Sequence, residues 1–162
     1  MDIIDILHTA IKIEQEGIEF YSKSANKVKD ENGKGTLLFL ANEEKRHKAF
    51  FEGVLKKHGK EDANTIRLLM SPRIFPEPKD YEGKSAPEID KEILNHALET
   101  EHRSITFYSD AKKLADEKFR DGLDIVIREE KQHAEWIEYL LEGIRSQATW
   151  SPLHGHFSLD GG

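Results

Sequence analysis

The sequence predicts an all-α protein built as a four-helix bundle. Four segments repeat apolar residues with a period of about 3.6 residues, and no alternating pattern is long enough to indicate a sheet. With 162 residues, the chain can form four helices of about 25 residues around one core, but not a second globular domain. Two short connections separated by a long one indicate two antiparallel helical hairpins joined by a crossover.

The positions of the helices follow from this periodicity. The four predicted helices span about residues 3–29, 34–58, 89–115 and 118–145. The crossover, residues 59–87, contains four of the five prolines and therefore cannot be one continuous helix. We expect the bundle to occupy residues 1–146 and the last residues, 147–162, to form an irregular tail.

The composition excludes several classes of protein. The formal net charge of -7, from 31 acidic and 24 basic residues, argues against nucleic acid or an anionic membrane as a partner. The chain contains no cysteine, which excludes disulfides, thiolate zinc sites and iron–sulfur clusters. Its start carries Asp2 and Asp5 where a secretory signal would be basic. We therefore expect a cytoplasmic protein, and any metal it binds needs oxygen and nitrogen ligands.

Two pairs of matching segments divide the chain into similar halves. EQEGIEFYS, residues 14–22, matches EHRSITFYS, residues 101–109, at five positions. EEKRH, residues 43–47, matches EEKQH, residues 129–133, at four positions. The two offsets, 87 and 86 residues, agree to within one. We interpret the halves as duplicated helix pairs, whose matching residues should meet around a pseudo-twofold axis.

Each predicted helix carries ionisable residues in the middle of its apolar stripe. The first and third helices place one glutamate there, and the second and fourth place a Glu-x-x-His pair there. The six residues are Glu14, Glu44, His47, Glu101, Glu130 and His133. A third Glu-x-x-His pair, Glu99 with His102, lies off its stripe and is interpreted as solvated surface.

Four glutamates that face one another inside a bundle need positive charge nearby. Desolvation and like-charge repulsion each cost on the order of several kcal/mol for buried carboxylates. Two metal cations would supply the charge, and the i, i+3 spacing lets a glutamate and a histidine of one helix bind the same metal or adjacent metals. Two single glutamates with two Glu-x-x-His pairs are the ligand set of di-iron and di-manganese carboxylate bundles. One such pair alone is more often an ordinary polar contact, but two matched pairs favour a metal site.

Tyr21 and Tyr108 occupy matching positions, each seven residues after a stripe glutamate. An aromatic residue on an apolar stripe is ordinary core packing. The matched placement equally allows a phenol that hydrogen-bonds a ligand carboxylate, or that donates a proton or an electron. These two tyrosines are therefore the candidate catalytic residues.

Together these residues resemble the rubrerythrin-like branch of the ferritin-like superfamily. The resemblance covers about residues 3–145 and rests on the doubled E...FY...ExxH pattern. It implies a ferritin-like four-helix bundle that holds two iron ions in a non-haem site. The implied roles are terminal ligation of one iron by Glu14 and His47, terminal ligation of the other by Glu101 and His133, and bridging of both by Glu44 and Glu130.

The resemblance also implies an oxidoreductase of oxidative-stress defence, which reduces hydrogen peroxide or dioxygen. Typical members carry a rubredoxin domain with four cysteines, and this chain has no cysteine, so an external electron donor such as rubredoxin is expected. Typical members also have a further ligand glutamate one turn after the third-helix glutamate. Here that position is Ser104, and Leu98 lies one turn before Glu101. We therefore expect a plainer site with six ligands.

Other hypotheses stay open from the sequence. A ferritin-like ferroxidase or iron-handling protein would use the same ligands, and a metal-free structural bundle would bury them as polar groups. Manganese and zinc suit the same carboxylate and imidazole ligands, so iron is favoured mainly by the resemblance. We expect a homodimer. A crossover of about 29 residues lets a helical hairpin pair with the other hairpin of its own chain or with that of a second chain, and the sequence leaves both arrangements open.

Overall fold

The structure, a computed structural model, describes residues 3–57 and 85–147, apart from the side chains of Lys118 and Gln147. Within these ranges the chain forms four α-helices and no strand. The helices are α1 (Ile3–Ala25), α2 (Glu31–Lys57), α3 (Ala86–Lys112) and α4 (Glu117–Gln147). The predicted all-α four-helix bundle is therefore confirmed. No helix in the described ranges is both long enough and apolar enough to cross a membrane.

The helices pack as two hairpins that meet along a shared core. α1 lies along α2 and α3 lies along α4, while the hairpins approach each other through α1 with α3 and α2 with α4. Aliphatic and aromatic side chains from all four helices form one continuous cluster. Each helix contributes a leucine that is fully buried; these are Leu7, Leu37, Leu94 and Leu123. Burial of such side chains supplies the main free energy that joins the hairpins.

The turn of the first hairpin is set by a capping aspartate. The backbone N–H of Gly33 donates a hydrogen bond to Asp30 Oδ1 at 2.9 Å, which satisfies one of the free N–H groups at the start of α2. Helix α2 therefore begins three residues before the predicted residue 34. Helix α1 ends four residues before the predicted residue 29. Periodicity alone does not detect such a cap.

The second hairpin begins and turns at similar caps. The N–H of Ser85 donates to Glu88 Oε2 at 2.9 Å, and Pro87 lies in the first turn, where its missing N–H costs little. Helix α3 therefore begins three residues earlier than predicted, inside the expected crossover. At the following turn the N–H of Phe119 donates to Asp116 Oδ1 at 2.9 Å, which fixes the start of α4.

Two predicted segments lie almost wholly outside the described residues. These are the crossover, 59–87, and the C-terminal tail, 147–162. The domain boundaries based on them stay a prediction.

Helix α2 approaches α4 closely at Gly122. A Cβ atom at this position would lie 2.2 Å from Phe50 Cζ, so the ring of Phe50 rests where a larger residue would project. The same ring stacks on Phe119, with centroids 6.4 Å apart and an interplanar angle of 21°. The glycine therefore permits an aromatic contact at the end of the bundle where α4 begins.

Candidate metal centre

The six predicted ligand residues lie together in the middle of the bundle. They are Glu14 on α1, Glu44 and His47 on α2, Glu101 on α3, and Glu130 and His133 on α4; none is more than 5 % exposed. Residues three apart on a helix share one face, which is why each Glu-x-x-His pair presents both side chains to the interior. The sequence repeat thus corresponds to a spatial cluster.

The ligand atoms of this cluster form two groups. Within each group, one oxygen or nitrogen atom from every residue lies within 4.8 Å of the others. The first group, called the His47 position, consists of Glu14, Glu44, His47 and Glu130. The second group, called the His133 position, consists of Glu44, Glu101, Glu130 and His133. Two glutamates, Glu44 and Glu130, belong to both groups.

The two shared glutamates each direct one oxygen towards each histidine. Glu130 Oε1 lies 3.2 Å from His47 Nδ1, and its Oε2 lies 3.1 Å from His133 Nδ1. Glu44 Oε2 lies 3.6 Å from His47 Nδ1, and its Oε1 lies 3.9 Å from His133 Nδ1. The imidazole rings are stacked with centroids 5.8 Å apart. A carboxylate placed in this way can bind one metal through each oxygen.

The two candidate catalytic tyrosines hold the other two glutamates. The hydroxyl of Tyr21 donates a hydrogen bond to Glu101 Oε1, and that of Tyr108 donates to Glu14 Oε1. Both tyrosines are fully buried. Burial raises the pKa of each phenol, and the carboxylate it contacts raises it further. Each phenol therefore keeps its proton and acts as a hydrogen-bond donor.

Burial and repulsion determine the charge of the carboxyl groups. Burial raises the pKa of Glu14 well above its ordinary value, and the charge of Glu44 raises it further. Glu101 behaves in the same way, with Glu130 as the main repelling charge. Burial also opposes ionisation of Glu130, but the charge of His47 and the hydrogen bond from His133 outweigh it and lower its pKa.

Burial has the opposite effect on the pKa of a histidine, because the protonated form of the imidazole is the charged one. Burial lowers the pKa of His47 and of His133, but the glutamates that face them outweigh burial and raise both pKa values. In the metal-free protein, protons on the imidazoles and on the carboxyls whose pKa is raised therefore balance the negative charge of the cluster. A bound metal would balance the same charge. Metal binding and protonation compete for the same atoms.

Three buried polar atoms in the cluster have no hydrogen-bond partner. They are Glu14 Oε2, Glu44 Oε1 and His47 Nδ1. Each unsatisfied buried group lowers the stability of the fold by about 1–3 kcal/mol. All three atoms belong to residues of the two ligand groups. Coordination to a cation would satisfy them. Oxygen and imidazole ligands suit iron, manganese and zinc, so the residues present fit a pair of such ions.

Glu129 contacts the ligand cluster, and the sequence analysis did not single it out. Its Oε2 lies 2.9 Å from His47 Nε2, on the side of the ring that faces away from the shared glutamates. An Nε2–H that donates to this carboxylate leaves Nδ1 free to bind a metal. The sequence did contain an indication of this contact, because EEKRH and EEKQH both carry a second glutamate directly before the ligand glutamate.

The residues around the predicted site also behave as their positions indicate. Glu99 and His102, the third Glu-x-x-His pair, are exposed on the outer surface of α3. Ser104, which stands where typical rubrerythrins have a further glutamate, is buried, and Leu98 is half-buried. Neither side chain can provide a carboxylate ligand.

The fold and the cluster define a four-helix bundle whose core contains a paired carboxylate and histidine site. The Rubrerythrin family model matches residues 5–90, and the chain belongs to the rubrerythrin family. This match covers the first hairpin and extends to the start of α3. No curated protein matches the chain.

Two solved structures share the fold. A hypothetical protein from Pyrococcus furiosus is 22 % identical, with a TM-score of 0.76 and coverage of 90 % of this chain and 92 % of the other. A candidate ferritin-like diiron-carboxylate protein from Thermotoga maritima is 24 % identical, with a TM-score of 0.62 and coverage of 92 % and 97 %. At these identities the similarity establishes the ferritin-like bundle.

Proposed function

We propose that the protein is a di-iron oxidoreductase that reduces hydrogen peroxide or dioxygen with electrons from an external carrier. The observation that carries this proposal is the sharing of Glu44 and Glu130 between the two groups of ligand atoms. Carboxylates shared in this way would hold two metals side by side, where both could act on one small oxidant. Family membership supports iron as the metal, and the donor set is compatible with it.

The reaction needs two electrons and two protons to convert hydrogen peroxide into two waters. Two ferrous irons held by the six ligands would supply one electron each and would stabilise the negative charge that develops on oxygen. The chain itself supplies ligand orientation and a site protected from bulk water, because all six ligands are buried. A chain without cysteine has no thiol or rubredoxin centre of its own, which favours a separate electron donor such as rubredoxin.

The tyrosines contribute by orienting ligands and by holding protons near the site. Tyr21 and Tyr108 donate to the two glutamates that are not shared, so each of these carboxylates has one oxygen fixed by a phenol. Phe51 stacks on Tyr108 with centroids 5.3 Å apart, which restricts the movement of that ring. Glu14 and Glu101, whose pKa values are raised in the metal-free protein, would release their protons when a metal binds.

Repeated turnover tests this proposal. The protein is loaded anaerobically with ferrous iron, analysed for iron per chain, and mixed with reduced rubredoxin and hydrogen peroxide. We expect about two irons per chain, visible absorption after oxidation, and many cycles of rubredoxin oxidation. The double variant E44A/E130A should lose the iron and the turnover, whereas E99A, at the exposed pair, should keep both.

Other outcomes would support the other hypotheses. Stoichiometric iron oxidation with mineral accumulation, and no repeated oxidation of the carrier, would indicate a ferroxidase or an iron-handling protein. A colourless protein that retains zinc from iron-containing medium would contradict the redox function. Less than one metal per chain, unchanged in E44A/E130A, would indicate a structural bundle.

A further inference from the structure

The segments EEKRH and EEKQH differ at one residue, which pairs with two glutamates that lie beside the ligand residues. EEKRH contains Arg46 where EEKQH contains Gln132. The guanidinium of Arg46 pairs with Glu43 on its own helix through Nη1, and its Nη2 lies 3.3 Å from Glu129 Oε1 on α4. Gln132 is exposed. The pseudo-twofold symmetry of the site is therefore broken at this position.

Arg46 and His47 bind the two oxygens of one carboxylate. Glu129 accepts from His47 Nε2 through Oε2 at 2.9 Å and faces Arg46 through Oε1. The arginine thereby fixes the carboxylate in the orientation that contacts the imidazole. When the ring nitrogen that does not bind the metal donates its N–H to a carboxylate, the other nitrogen becomes a more basic and better oriented metal ligand.

The matching carboxylate in the other half makes a different contact. Glu43 corresponds to Glu129 by the repeat, so symmetry would place it against His133. It pairs with Arg46 instead. Within residues 3–57 and 85–147, the polar contacts of the His133 side chain are with Glu130 and Glu44, both through Nδ1. Its Nε2 therefore has no carboxylate partner in the described part of the chain.

We infer that Arg46 makes the two metal positions unequal, so that the His47 position binds a divalent metal more tightly than the His133 position. Arg46 acts as a positioning residue: it holds Glu129 on His47 and withdraws Glu43 from His133. The inference rests on the proposed pair of metals but not on the oxidant they reduce. An ordinary exposed ion pair would contribute little and would not distinguish the two positions.

Single-position variants separate the two affinities. E101Q removes a ligand from the His133 position alone, and E14Q removes the matching ligand from the His47 position alone. Each variant is titrated anaerobically with Co²⁺, whose visible absorption reports binding, and far-UV circular dichroism checks that both remain helical. We expect E101Q to bind its Co²⁺ roughly 10- to 100-fold more tightly than E14Q, the range typical of loss of such a histidine partner.

The substitution R46Q then tests the cause, because it gives the first segment the sequence of the second. In the E101Q background it should weaken Co²⁺ binding and change the visible spectrum, and in the E14Q background it should not weaken binding. R103Q is the matched control. Like Arg46, Arg103 pairs with a glutamate on its own helix, here four residues away, and its side chain is 54 % exposed, against 55 % for Arg46. R103Q should change neither affinity.

Each remaining result would overturn the inference. Equal affinities of E101Q and E14Q, or an R46Q effect of the same size in both backgrounds, would remove the asymmetry while leaving the proposed oxidoreductase intact. Failure of both variants and of the unmodified protein to bind Co²⁺ would contradict the metal site, and with it the proposed function as well.

Discussion

The hydroxyl of Tyr21 on α1 donates a hydrogen bond to the carboxylate of Glu101 on α3. Tyr108 on α3 returns the same contact to Glu14 on α1. Because both bonds cross between the hairpins, each half of the chain orients a ligand that belongs to the other half. The exchange is reciprocal, as the internal repeat requires, and it fixes the relative register of α1 and α3.

Removal of either hydroxyl should destabilise the metal-free protein. Y21F and Y108F each leave a buried glutamate oxygen without its donor, so we expect the free energy of unfolding to fall by about 1–3 kcal/mol for each. Urea denaturation followed by circular dichroism measures the change. Y139F is the control, because Tyr139 is half-buried and its hydroxyl makes no hydrogen bond within the described residues. Equal effects of all three substitutions would show that the contacts contribute nothing specific.

Loss of a shared glutamate should affect both metals, whereas loss of an unshared one should affect a single metal. Glu44 and Glu130 belong to both ligand groups, while Glu14 and Glu101 each belong to one. After iron loading, we expect E14A and E101A to retain about one iron per chain and E44A and E130A to retain much less than one. Elemental analysis of the desalted protein gives the ratio. If E14A lost as much iron as E44A, the assignment of shared and unshared ligands would be wrong.

The stability of the metal-free protein should fall as the pH rises. The pKa values of Glu14 and Glu101 are raised by folding, so the folded state binds their protons more tightly than the unfolded state does. That contribution is complete below the ordinary pKa of a glutamate and is lost as the pH rises through the raised values. His47 and His133 have raised pKa values too and act in the same direction at higher pH.

Denaturation between about pH 5 and pH 8 measures this dependence. The metal-free protein should lose stability across the range, and the double variant E14Q/E101Q should show a flatter profile. The metal-loaded protein should gain stability over the same range, because a metal binds the deprotonated ligands. Glu130, whose pKa is lowered, affects stability only in more acidic solution. A metal-free profile that rises with pH would contradict the charge assignment.

Two helical glycines should respond differently to substitution by alanine. A Cβ at Gly53 meets nothing within 4 Å, so G53A should raise stability by about 0.5–1 kcal/mol through helix propensity. A Cβ at Gly122 would lie 2.2 Å from the ring of Phe50, so G122A requires that ring to move. We expect G122A to be at least about 1 kcal/mol less stable than G53A. Thermal unfolding of the two variants provides the comparison, and equal midpoints would show that Phe50 moves without cost.

The sequence predicts the bundle and its cluster of ionisable residues because burial of one helix face requires apolar residues to recur about every 3.6 residues. A helix that buries one face must repeat apolar residues at that spacing, so an ionisable residue on the face, such as Glu44 or His47, is conspicuous. Helix ends were less accurate, with errors of up to four residues. They depend on single capping hydrogen bonds, such as that accepted by Asp30, which periodicity does not register.

The contacts behind the ligands could not be predicted in the same way. Glu129 precedes a ligand by one residue, a rotation of about 100° on a helix, so its position indicated surface. Its contact with His47 depends on how α2 and α4 align along their length and on the rotamers of two long side chains. The role of Arg46 depends on the same alignment. For Tyr21 the sequence allowed packing or hydrogen bonding, and the structure shows both, since the buried ring also donates to Glu101.

Both metal positions take their ligands from both hairpins, although each helix packs mainly against its partner within one hairpin. A metal bound at the site would therefore also link the two halves of the molecule directly. Without cations, the carboxylates that face one another between the two hairpins must take up protons or repel one another. A metal bound by ligands of both hairpins would remove that repulsion and favour the closed bundle, so removal of metal is expected to weaken the contact between the two halves of the molecule.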